Sequence, residues 1–157
     1  MDTRLDFISN PVSGSAVKHL AAAGRTVAES TLPAATLELA ALRISQINGC
    51  GYCVDMHTKN AAHAGESQQR LHLVAVWREA TVFTDAERAA LELAEQGTRI
   101  ADTAGGVTDE AWADAAKHYD ETQLGALVTT IAVLNAFNRL NVITQRSAGD
   151  YEVGQFG

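Results

Sequence analysis

The sequence predicts an all-α fold, and three observations carry that prediction. Apolar residues recur at three- and four-residue steps, as at Leu37, Ala41 and Ile44 and again at Leu124, Leu127, Val128, Ile131 and Leu134, which puts them on one face of a helix. No segment alternates apolar and polar residues in the manner of a half-buried strand, and valine and isoleucine are mostly spaced as in helices. Helix-start signals also stand between the periodic stretches, the clearest being the capping box Thr84-Asp85-Ala86-Glu87. Six to seven helices with short connections follow. With no tandem repeat and no linker, the 157 residues read as a single domain.

Taken in order, residues 1–13 read as irregular, with Asn10-Pro11 and Ser13-Gly14 as breakers. A first helix spans Ser15 to Glu29, carrying Val17, Leu20, Ala21 and Val27. Pro33 opens a second helix that runs to about Ile47. Glu38 lies in it among Ala34, Ala35, Leu37, Ala41 and Leu42, which predicts a partly buried carboxylate. Asn48 reads as the N-cap of a third helix, which ends near Ala64 with Gly65 as its C-cap. Ser67 to Arg78 reads as a short helix, and the capping box at Thr84 starts another that ends at about Gln96, before Gly97. Residues 101–107 form a loop around Gly105-Gly106, and Thr108 caps a helix to about Tyr119. The long apolar stripe from Leu124 marks the last helix, and residues 148–157 read as a tail.

Composition narrows the function. Hydrophobic residues make up 46% and charged residues 20%, which describes a globular chain. A formal net charge of −7 argues against nucleic acid and anionic membrane as partners. No uninterrupted apolar run approaches the roughly 20 residues of a membrane span. Met1 to Asp6 lacks a signal-peptide pattern, so a cytoplasmic location is expected.

The only two cysteines stand in Cys50-Gly51-Tyr52-Cys53, with His57 four residues further on. On a helix those steps gather both thiols and the imidazole within about 60° of one another. A helix N-terminus and a nearby imidazole lower a thiol pKa. A second thiol three residues away can resolve a sulfenic acid as a disulfide. Redox chemistry is therefore the leading reading. A closed zinc site needs about four ligands; Cys50, Cys53 and His57 supply three, and His63 falls on the far side of the helix. Inert buried cysteines are the other plain alternative. No cofactor and no metal are expected.

Glu38, Cys50-Gly51-Tyr52-Cys53 and His57 together resemble the alkylhydroperoxidase D (AhpD) core of the carboxymuconolactone decarboxylase superfamily. Trp77 to Leu91 and Ile131 to Arg139 are similar to its small members, so the resemblance covers about residues 34–142. It implies a thiol peroxidase or disulfide reductase on a helical fold, assembled as trimers or larger oligomers. It further implies Cys53 as the peroxidatic thiol, Cys50 as the resolving and exchange thiol, and His57 with Glu38 as a proton relay. A hydroperoxide would be the substrate, and a lipoyl-bearing or thioredoxin-like dithiol the reductant. The sequence departs from the best-known member at Tyr52, where that member has a histidine. A non-catalytic redox-sensing or binding module remains the rival from another class, and a lactone decarboxylase is disfavoured by the cysteine pair.

Trp77, Phe83, Trp112 and Phe137 exceed what one small core needs, which predicts a homo-oligomer; a trimer-based order is what the resemblance implies. Asn135, Asn138 and Arg139 are read as structural or as a subunit contact, and Glu87 and Arg88 as capping and surface charge.

Overall fold

A computed structural model describes residues 3–155. Among them seven α-helices and no strand are found: α1 (Pro11–Ala28), α2 (Ala34–Ile47), α3 (Gly51–His63), α4 (Gln68–Leu73), α5 (Asp85–Thr98), α6 (Asp109–His118) and α7 (Glu121–Thr144). A single 3₁₀ turn, Val74–Val76, continues α4.

The fold is organised on α2, which is buried on two sides. Ala40 and Ile44 join Val27, Leu93, Tyr119, Leu127 and Ile131 in one core, with α1, α5, α6 and α7. Leu39 and Leu42 face Ala61, Leu71, Val74, Trp77, Phe83 and Leu91 in a second, formed with α3, α4 and α5. A helix enclosed in this way must find protein partners for most of the polar side chains it carries, Gln46 Oε1 being buried without one among the described residues. Ser45 donates to the Ala41 carbonyl and accepts from Asn138 of α7. Arg43 reaches Glu95 of α5 through Nε and Nη2, at 2.9 and 2.8 Å. Glu95 also accepts from Trp77 Nε1 at 3.1 Å and pairs with Arg78 at 3.0 Å and Arg99 at 3.4 Å. Burial would raise its pKa, but the hydrogen bonds from Arg43, Trp77 and Arg78 outweigh that and bring it down to about 2.

Three expectations are corrected here. The first helix begins at Pro11 rather than Ser15. Asn10 accepts from the amides of Val12 and Ser13, and proline at the first helical position gives up no hydrogen bond. Next, α5 passes through Gly97 to Thr98. A Cβ on Gly97 would stand 3.1 Å from Ile131, so the glycine marks close packing of α5 on α7 and not a helix end. Lastly, Trp77 and Phe83 are core residues, each with an arginine guanidinium over its ring, Arg78 and Arg70 respectively. Trp112 is exposed and Phe137 half-buried.

The expected capping box is present, with Thr84 and Glu87 bonded reciprocally. Glu87 also pairs with Arg70, and Arg88 donates to the carbonyls of Trp77, Arg78 and Ala80, so both tie the 77–84 segment down rather than merely decorating the surface. By length and composition alone α7 could cross a membrane; in this fold Leu127 and Ile131 pack into the first core.

Candidate active site

The dithiol stands where α2 hands over to α3. Asn48 ends α2, and Gly49 takes φ +64°, a conformation that favours glycine. Cys50 is extended, its amide bonded to Ser45 O at 3.0 Å, and it precedes the first residue of α3. The N-cap is therefore Cys50, whose Sγ accepts from the Cys53 amide at 3.3 Å, and not Asn48 as expected. Asn48 instead donates to Asn138 at 2.9 Å and Asn135 at 3.0 Å, which fastens the turn before the cysteines to α7. The sequence places both thiols at the helix start; the structure assigns the cap to sulfur.

Cys50 and Cys53 form a disulfide, with Cα atoms 5.3 Å apart. Both are buried. Cys50 borders a cleft of about 450 Å³, together with Gly49, Asn141, Gln145, Arg146 and Ala148.

Glu38 and His57 are brought together: Nδ1 of the imidazole lies 2.9 Å from Glu38 Oε2. A carboxylate only accepts, so its partner assigns the proton to Nδ1. Nε2 is buried and has no hydrogen-bond partner among the described residues. His57 is thus an imidazole oriented from behind, one helical turn from Cys53, with its second nitrogen uncommitted. Glu38 is partly buried, as its apolar flanks predict. His19, His63, His72 and His118 are all exposed.

Sequence reasoning missed two parts of the site. Asn141 of α7 donates to Cys53 Sγ at 3.3 Å. The available signal is the row Asn135, Asn138, Asn141 at three-residue steps in an otherwise apolar helix, since buried amides need partners. The other is the stretch read as a tail. Residues 149–155 lie along α3, where Asp55 accepts from the amides of Gly149 and Tyr151. Lys59 donates to the carbonyls of the same two residues, and Tyr151, buried, donates its hydroxyl to Asn60.

Tyr52 takes part in that strap. Arg146 stacks 3.8 Å from its ring centroid, Tyr151 meets it edge-on, and Gln155 donates to its hydroxyl at 3.2 Å. Burial pushes the Tyr52 pKa up, with Arg146 acting in the opposite direction. The phenol stays protonated at neutral pH and serves as an anchor rather than a base.

The sequence profile of the carboxymuconolactone decarboxylase family matches residues 15–96. The chain belongs to that family. Among its relatives, the uncharacterized Bacillus subtilis protein YdfG is 40% identical over 73% of this chain and 76% of its own length. A crystal structure from Agrobacterium tumefaciens, of a protein of unknown function provisionally assigned to antioxidant defence as AhpD, superposes with a TM-score of 0.88 at 34% identity, over 96% of this chain and all of that one. The debrominase Bmp8 shares the fold, with a TM-score of 0.77 at 19% identity over 92% of this chain and 75% of its own. The carboxymuconolactone decarboxylase fold is therefore AhpD-like here, with the cysteine pair at the start of α3.

Proposed function

We propose that this protein is a dithiol oxidoreductase that reduces hydroperoxides. The observation that supports it most is the His57–Glu38 pair, with Nε2 uncommitted, one turn from a Cys50–Cys53 disulfide. In the reduced state Cys53 thiolate attacks the hydroperoxide O–O bond. That bond breaks, the alkoxide takes a proton delivered through His57, and Cys53 becomes a sulfenic acid. Cys50 then attacks Cys53 Sγ, the S–S bond forms, and hydroxide leaves as water. An external dithiol, lipoyl-bearing or thioredoxin-like, returns the pair to thiols, entering at Cys50 from the cleft. Glu38 holds the imidazole in register and balances its charge.

The test is hydroperoxide consumption driven by a dithiol. The parent cycles, whereas a one-shot redox sensor stops after one equivalent. His57→Gln lowers turnover by about 10²-fold or more and moves alkylation of Cys53 to higher pH, because an imidazolium no longer favours thiolate. Glu38→Gln shifts both in the same direction by less. Unchanged profiles for both folded variants remove the relay from this mechanism.

We further propose a homo-oligomer, trimer-based by analogy with the family. An apolar groove between α5, α6 and α7 supports it, with Ile100, Trp112 and Val128 exposed along its rim. Light scattering after size exclusion should give a multiple of 16.7 kDa; a single-chain mass sinks the proposal.

A further inference from the structure

Asn141 occupies an unusual position. It is 5% exposed, stands on α7 and borders the cleft that Cys50 borders. Both of its amide hydrogens are used: Nδ2 donates to Phe137 O at 3.0 Å and to Cys53 Sγ at 3.3 Å. The carbonyl contact fixes the orientation of the amide, since turning it over would set Oδ1 against the Phe137 carbonyl. Oδ1 is buried and has no hydrogen-bond partner among the described residues. A leucine of similar volume would be spared that desolvation cost. The amide is held in a costly environment with its N–H aimed at one sulfur.

We propose that Asn141 is a catalytic residue of the dithiol: its Nδ2–H stabilises Cys53 as a thiolate. This deepens the peroxidase reading and rests on its assignment of Cys53 as the reactive thiol. A disulfide sulfur is a weak acceptor and a thiolate a strong, charged one, so the same N–H gains strength as negative charge arrives. That charge arrives when the reductant enters. The external thiolate attacks Cys50 Sγ from the cleft and forms a mixed disulfide there. The Cys50–Cys53 bond breaks, and its electron pair leaves on Cys53 Sγ, where the amide of Asn141 meets it. The reductant's second thiol then attacks the mixed disulfide, closes the reductant's own disulfide and releases Cys50 as a thiol, and the Cys53 thiolate is ready for peroxide without a further proton transfer. The other titratable or charged groups around the sulfur are Cys50, Tyr52 and His57 at α3, Glu38 on α2 behind the imidazole, and Arg146 and Tyr151 beyond α7. Asn141 differs from the thiol, phenol, imidazole and carboxyl groups among them in acting at any pH, because an amide does not titrate.

The experiment measures iodoacetamide alkylation of Cys53 against pH in full-length protein carrying Cys50→Ser, alone and with Asn141→Leu, Asn141→Ala or Asn141→Gln. Asn141→Leu should raise the midpoint by roughly one pH unit, about a tenfold loss of thiolate below the midpoint. Asn141→Ala should do the same, and it is the variant to read if leucine does not fold. Asn141→Gln, which keeps the amide, should shift less than either. Profiles of folded leucine and alanine variants that overlay the parent overturn the proposal. Alkylation needs no peroxide, which keeps the two readings apart. A shifted midpoint in a protein that turns over no peroxide keeps Asn141 and removes the peroxidase. Overlaid profiles in a protein that does turn over peroxide do the reverse.

Discussion

Cys53→Ser abolishes dithiol-driven hydroperoxide consumption, leaving only the rate of a protein without either cysteine. A serine hydroxyl beside the same imidazole is not measurably ionised at neutral pH and forms no sulfenic acid, so both the attack and the disulfide are lost. Cys50→Ser behaves differently. It retains the proposed peroxidatic thiol and, mixed with peroxide before any dithiol is added, consumes one equivalent and stops at the sulfenic acid, because no second cysteine remains to condense with it. The contrast between no turnover and a single turnover assigns the two sulfurs, and a stopped-flow trace with an organic hydroperoxide reads it directly. Cys53→Ser that still consumes peroxide, together with Cys50→Ser that consumes none, reverses the assignment. Serine is the proper replacement at position 50 because its oxygen can cap α3 as the sulfur does.

The largest expected effect on stability lies away from the dithiol. Glu95→Ala should cost about 3–5 kcal/mol, because it strands Arg43 in the interior without its carboxylate. For a chain of this length that corresponds to a fall in Tm of roughly 10 °C. The pH dependence follows from the pKa of Glu95, lowered from 4.5 to about 2 on folding. A carboxylate depressed in this way contributes its full stabilisation above its unfolded pKa and loses it as pH falls through its folded one. The gap between parent and variant should therefore be constant near neutrality and close between about pH 4.5 and pH 2. Urea denaturation at several pH values measures it. A Tm within about 2 °C of the parent at pH 7, far inside the expected shift, would show that solvent screens the cluster.

Local chemistry made most of the fold legible. Thr84 and Glu87, Thr108 and the stripe from Leu124 name their helices because caps and periodicity are properties of a few adjacent residues. Pro11 misleads for the same reason: beside Asn10 it reads as a break, whereas one position inside a capped helix it is a start. Glu38 and His57 were legible from apolar flanks and helical register, although only the packing of α2 on α3 brings them to 2.9 Å. Asn48 could not be read locally, since its partners lie 87 and 90 residues away. The strap was hidden likewise, because Asp55 and Lys59 look like an ordinary i,i+4 surface pair until the backbone of Gly149 and Tyr151 is laid across them.

That distance in sequence is also a distance in time. Cys53 and Asn141 are 88 residues apart, and a ribosome adding ~5–20 residues per second takes roughly 5–20 s to pass from one to the other. Throughout that interval the nascent α3 carries two thiols that no amide or strap yet covers, with His57 and Glu38 already synthesised. The dithiol is made early and enclosed last. Its exposure to oxidants therefore begins before the pocket around it exists.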